Sequence, residues 1–219
     1  QDLRHVTTYL SRLVEQDSTA VLPFLEMARA FRYMGEYEAA LLQLEDGGLQ
    51  RAPNDARLLV EQARIRLAMG DTAQARPTLQ RLAAASPPDT AALLTLGQLL
   101  LASNLPDSAR ACFEQVLVCN ALHTQAIVGQ AQAYLQQDSL LAGNNALYPR
   151  LRTHAFSVPV WRVAATYAER MNQWDEAIYA WERIIKLLPE GKAEEAAKRR
   201  LARAEEAFVG MKNPNTPGL

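Results

Sequence analysis

The sequence predicts an all-α protein, a solenoid built from antiparallel helix pairs, and three registered columns of residues predict it. Residues suited to a left-handed turn recur at a nearly fixed interval: Gly35, Gly70, Asn104, Asp138 and Asn172 are 35, 34, 34 and 34 residues apart. Glycine, asparagine and aspartate are the types that enter the left-handed region most readily, which is what ending one helix and reversing into the next requires. A small residue stands seven positions before each of these (Ala28, Ala63, Gly97, Ala131, Ala165) and another five positions after it (Ala40, Ala75, Ala109, Gly143, Ala177). Small residues at a helix crossing let two backbones approach closely. Four positions further on the residue is large and apolar: Leu44, Leu79, Phe113, Leu147 and Trp181, placed to wedge between neighbouring pairs. A period of 20–50 residues is the mark of stacked units that bury their apolar faces on one another.

The most regular unit is 158–191, read as helices over about 159–171 and 174–187 that meet at Asn172. It carries Trp161, Ala164-Ala165, Ala177, Trp181 and Pro189; the unit 90–123 carries Leu93, Leu96-Gly97, Leu100, Ala109 and Phe113. This pattern resembles the tetratricopeptide repeat (TPR), with its aromatic, Leu-Gly and Tyr in helix A and its Ala, Phe and Pro in and after helix B. The resemblance covers nearly the whole chain and implies a right-handed α-α superhelix. Two units depart from the pattern. The second has Gln62 and Arg66 where Leu and Tyr are usual, and the fourth has Gln130 and no closing proline, so both are expected to pack less tightly.

In chain order, 1–20 reads as an N-terminal half-repeat helix, with Val6, Leu10, Leu13 and Val14 on one face. Five repeats follow, over 21–55, 56–89, 90–123, 124–157 and 158–191. The first is one residue too long, and Gly47-Gly48 is the expected place where the surplus is absorbed, because paired glycines oppose a regular helix. In the second, Pro77 removes a backbone donor inside helix B and should kink it. In the fourth, Gly143, two asparagines and Pro149 predict a bend or break near residues 148–152. The segment 192–211 is a capping helix with Ala197, Leu201, Ala204 and Phe208 as its apolar stripe. Arg199 in the small-residue column prevents a further helix from packing there. The last residues, 212–219, are rich in Pro and Gly and read as a loose tail.

Composition narrows the function. The 219 residues are 49% hydrophobic but only 7% aromatic, enough for an alanine-packed helical core. A net charge of −1 argues against general affinity for nucleic acid or an anionic membrane. No apolar run approaches the roughly 20 residues of a membrane span, so a soluble protein, cytoplasmic or periplasmic, is expected. Arginine greatly outnumbers lysine, which fits a bacterial source, and a mature start at Gln1 would favour the cell envelope.

Chemistry-bearing clusters are not legible. His5, His123 and His154 fall in different units without a neighbouring ligand at metal spacing and read as surface or boundary residues. Cys112 and Cys119 are seven apart on one helix, about 10 Å along its axis, too far for a disulfide, and read as buried thiols. The basic stretch 198–203 lies among glutamates and reads as a solvated face. Trp161, Trp174 and Trp181 read as packing rather than a ligand box. No enzyme activity, cofactor or metal is expected.

What remains is the surface made by stacking. The resemblance implies that helices A line a groove through columns ten, six and three residues before each hinge. The first column is Leu25, Val60, Leu94 and Val128, the second Arg29, Arg64, Gln98 and Gln132, and the third Arg32, Leu67, Leu101 and Leu135, with Arg57 adding to the basic end. A polar ladder between aliphatic stripes, partly exposed when unliganded, suits a peptide or partner segment. The arginines have a second reading, as neutralisers of local acids, since Glu26 precedes Arg29 by three and Glu61 follows Arg57 by four. The family's clamp for a C-terminal carboxylate needs Lys and Asn where this chain has Val60 and Leu94, Arg64 and Gln98, so binding of chaperone tails is not expected. The expected function is a non-enzymatic protein-interaction scaffold. The alternative is a structural solenoid that self-associates, as a homodimer for instance, or acts as a spacer in a larger cell-envelope complex.

Overall fold

The computed structural model describes residues 21–85 and 88–212. The expected leading half-repeat, with His5, and the tail beyond Lys212 lie outside these residues. Among the described residues the regular structure is entirely helical. Backbone contacts divide the chain into two units, 1–99 and 100–219.

In the first unit, α1 (Leu22–Met34) pairs with α2 (Tyr37–Leu42), which continues as a π-helix (Gln43–Gly48) and a short α3 (Leu49–Arg51). Next come α4 (Ala56–Ala68), α5 (Thr72–Ala83) and the start of α6 (Thr90–Ala102), within which the two units meet. The second unit holds α7 (Pro106–Cys119), α8 (Thr124–Gln136), α9 (Leu140–Leu147), α10 (Val158–Arg170), α11 (Trp174–Leu187) and α12 (Lys192–Lys212).

All five hinge residues have positive φ: 79° at Gly35, 85° at Gly70, 55° at Asn104 and Asp138, and 57° at Asn172. Each closes the preceding helix in the same way. The residue after the hinge donates its N–H to the carbonyl five positions earlier, as in Glu36 to Phe31 at 2.9 Å, Leu105 to Leu100 at 2.9 Å and Gln173 to Ala168 at 2.8 Å. This is a Schellman closure, and it gives otherwise orphaned carbonyls a partner. Asn104→Gly is expected to leave the urea midpoint unchanged or slightly raised, whereas Asn104→Val should cost about 1–2 kcal/mol, the left-handed penalty that the short polar asparagine side chain eases and a β-branched one does not. Equal midpoints for the two variants would refute the turn as the cause of the spacing.

The small-residue columns lie in the packed interior. Ala28, Ala40, Ala75, Ala109, Ala165 and Ala177 are inaccessible, and so are Leu44, Leu79 and Phe113 of the wedge column. The surplus residue of the first repeat is taken up by the π-helix, whose wider turn accommodates one extra residue. Proximity constrains its two glycines unequally: a Cβ on Gly47 would overlap the Phe24 ring, whereas one on Gly48 would press on both Leu58 methyls at 3.1 Å. Arg51 also packs here, its guanidinium 4.4 Å from the Phe24 centroid and its Nη1 donating to the Gly47 carbonyl at 2.8 Å. Helix α5 runs through Pro77 without interruption. The fourth repeat breaks where its composition opposes helix, α9 stopping at Leu147 before a single 3₁₀ turn (Tyr148–Arg150).

The polar departures have partners. Glu45 Oε1 accepts from Gln62 Nε2 at 2.8 Å and from Arg66 Nη2 at 2.9 Å, and Arg66 also bonds Gln74. In the second unit buried Gln130 donates to Glu114 at 3.4 Å. There, successive repeats are also tied through helix ends: Gln136 donates to the Leu101 carbonyl at 3.2 Å, and Arg170 to the Leu135 carbonyl at 3.0 Å. Of the cap stripe, Ala197 and Ala204 are buried while Leu201 and Phe208 are half-buried.

Three expectations are corrected. Cys112 is half-buried, with burial raising its thiol pKa, and Cys119 is exposed at a helix end; neither is a fully buried thiol. His123 is half-buried, but His154 is buried. Its Nδ1 lies 3.0 Å from the Arg150 carbonyl and its Nε2 3.0 Å from the Leu122 carbonyl, so the ring ties two loops together. Trp161 and Trp181 are buried as packing residues, yet one side of Trp161 also lines a cavity.

Candidate functional site

The expected groove columns separate by burial. Within the first unit Leu25, Val60 and Leu94 are interior residues, at 2%, 2% and 6% exposure, which corrects the expectation that this column is partly exposed. Leu25 belongs to the core formed with Ala28, Ala40, Leu44, Leu58 and Ile65, so helix packing on that side takes the surface a ligand would need. Leu67 is half-buried and Gln98 exposed. Within the second unit Leu101 is buried, Val128 and Leu135 are half-buried and Gln132 is exposed.

The arginines of the first unit gather on one carboxylate. Glu61, on α4, is 1% exposed. Its Oε1 accepts from Arg32 Nε of α1 at 2.6 Å. Its Oε2 lies 3.5 Å from Arg64 Nη1 and 3.7 Å from Arg29 Nε, ion-pair distances outside hydrogen-bond geometry, and has no hydrogen-bond partner. Burial alone would lower the Arg32 pKa, but the bond to Glu61 and its charge more than offset this and hold it above the ordinary arginine value. Arg29 also donates from Nη1 to Glu26 at 2.7 Å. Arg64 donates from Nε to Thr95 Oγ1 at 3.2 Å, and that hydroxyl donates to the Ala91 carbonyl at 2.7 Å.

Local pairing therefore holds for Arg29 with Glu26 but not for Arg57 with Glu61. Arg57 is a separate, exposed residue that pairs with Asp55 at 2.6 Å, and the hydrogen bond from Arg57 holds the Asp55 carboxyl below its usual range. Glu61 instead receives arginines from the neighbouring helix and from its own next turn. Among the described residues three guanidinium groups face two carboxylates, an excess of one positive charge. The side chains of Arg29 and Arg64 remain 37% and 35% exposed. Their Nη2 groups make no hydrogen bond among the described residues. The separations in sequence, 29 for Arg32–Glu61 and 31 for Arg64–Thr95, place these contacts beyond what local spacing shows.

Among the described residues no group of three or more His, Cys, Asp or Glu side chains is placed to hold a metal ion. No helix among them is long and apolar enough to cross a membrane.

Three family models of the tetratricopeptide repeat match the chain, over residues 25–90, 66–126 and 161–191. The chain is a tetratricopeptide-repeat protein. Solved structures show the same α-α solenoid fold for the TPR chain. Yeast Tom70 matches with a TM-score of 0.78 at 15% identity, over 96% of this chain and 44% of Tom70, so the TPR chain spans less than half of that protein's length. A thermophilic TPR protein of Thermus thermophilus matches at 0.67 and 17% identity, over 87% of this chain and 100% of that one. YrrB, a TPR protein with an unusual peptide-binding site, matches at 0.57 and 14% identity, over 87% and 97%. No curated protein matches the TPR chain in sequence.

Proposed function

We propose that this TPR chain is a non-enzymatic protein-interaction scaffold whose first unit takes an acidic segment of a partner protein on the exposed guanidinium groups of Arg29 and Arg64. The observation that carries the reading is the sharing of one Glu61 oxygen by these two side chains, which come from different helices yet lie close enough to receive one incoming carboxylate together. Arg29 is bonded to Glu26 and Arg64 to Thr95, with the buried Glu61 charge between them, so little side-chain freedom is lost when the ligand arrives. Charge-assisted bonds from the unused Nη2 groups would supply recognition, with half-buried Leu67 offering adjacent apolar area. YrrB has a peptide-binding site on the same fold, which supports a peptide ligand by analogy of architecture only.

The test is fluorescence anisotropy with a labelled peptide of alternating Glu and Ala, beside its Gln counterpart. The wild-type chain should prefer the Glu peptide, and preference should fall as salt rises. Arg29→Glu and Arg64→Glu should each weaken it at least tenfold. Equal affinity for the two peptides, or reversal variants that bind as wild type, would refute the proposal. A concentration series in light scattering, without peptide, reads self-association separately.

A further inference from the structure

The second unit contains a cavity of about 660 Å³ that uses none of the arginine-cluster residues. Its origin is the broken helix of the fourth repeat. Helix α9 has 8 residues, whereas its counterparts α7 and α11 have 14 each. The space lies between the residues that follow this shortened helix, α10 and α11, and is bounded by Tyr148, Leu151, Trp161, Ala164, Tyr179 and Arg183.

The lining is fixed by its own contacts. Trp161 Nε1 donates to the Ala155 carbonyl at 3.0 Å, and Tyr179 meets the indole edge-on at 5.8 Å and 74°. The Arg183 guanidinium lies 5.7 Å from the Trp161 centroid and donates from Nη2 to the same carbonyl at 3.1 Å, while its Nε is buried with no hydrogen-bond partner. Arg152 also lines the space, and the exposed carboxylates of Asp175 and Glu176 stand at its edge. The volume lies in the range of roughly 300–1,000 Å³ found for small-molecule sites, and such sites combine apolar and aromatic walls with a few convergent polar groups.

We infer that this cavity binds an aromatic ring carrying a carboxylate, the ring packing against Trp161 and Tyr179 and the carboxylate meeting Arg183 and Arg152. Such a ligand is either a free aromatic amino acid, whose ammonium would face Asp175 and Glu176, or an aromatic residue at the C-terminus of a chain, which lacks that ammonium.

Titration of the wild-type chain with L-tryptophan, N-acetyl-L-tryptophan and indole, followed by the indole N–H resonance of Trp161, separates these cases. Saturable shifts with N-acetyltryptophan and weaker ones with indole are expected. Tryptophan binding at least fivefold more tightly than its acetylated form would identify the free amino acid, and equal affinity the chain terminus. Ala164→Phe fills the space and should abolish the shifts, with helicity checked by circular dichroism. Arg183→Gln should reduce affinity for the two carboxylates about tenfold and leave indole unchanged, which decides the matter if the larger substitution perturbs folding. No saturable shift with either carboxylate, or indole binding as well as both, would overturn the inference.

Discussion

Gly143→Ala is expected to destabilise the second unit by about 1–3 kcal/mol, although alanine is the better helix former by about 1 kcal/mol. A Cβ at this position would overlap Tyr167 Oη and stand 2.5 Å from its Cζ and 2.8 Å from Tyr134 Cβ. Tyr167 cannot move aside, because it is wholly buried and its hydroxyl donates to the Ala131 carbonyl one repeat earlier at 2.7 Å. Burial raises its phenol pKa, so it stays a neutral donor at physiological pH. Tyr167→Phe alone should cost about 1 kcal/mol, the net value of one hydrogen bond. On that background Gly143→Ala loses its closest clash, and the double variant should be more stable than the sum of the two single changes by about 1 kcal/mol or more. Urea denaturation of the four proteins completes the cycle; additive costs would show that the helix crossing yields elsewhere and that Tyr167 does not set its distance.

Glu61→Gln should lower the stability of the first unit by about 2–3 kcal/mol, somewhat less than the 3–5 kcal/mol typical of breaking a buried pair, because the arginines reach solvent. Among the described residues this carboxylate is the one acid shared by Arg29, Arg32 and Arg64. Without it three positive groups crowd one site, with Glu26 alone among the described residues to offset them. Thermal unfolding read through hydrogen exchange of α1 and α4 amides should show the loss, and added salt should narrow the gap between variant and wild type by screening the repulsion. An unchanged melting curve would mean that the arginines are held by packing alone.

Much of this architecture is visible in the residue order. The hinges are local chemistry: Gly35, Gly70, Asn104, Asp138 and Asn172 can all enter the left-handed region, and all do. The surplus at Gly47-Gly48 and the break before Pro149 follow equally from residues that oppose a regular helix where they stand. The candidate site was less legible. Arg29 and Arg64 were identifiable by column, but Glu61 as their common partner was not, because it joins residues from two helices about thirty positions apart.

The chain's own order of residues dictates where helices begin, reverse and fail, since those are decisions of φ, ψ and side-chain volume taken within one turn. It does not dictate which face a neighbour will cover. Leu25, Val60 and Leu94 share a column with half-buried Val128 yet are themselves interior, and Trp161 both packs and lines a cavity because α9 ends early. Periodicity assigns residues to a side of a helix; burial depends on what lies opposite, and only the packed helices supply that.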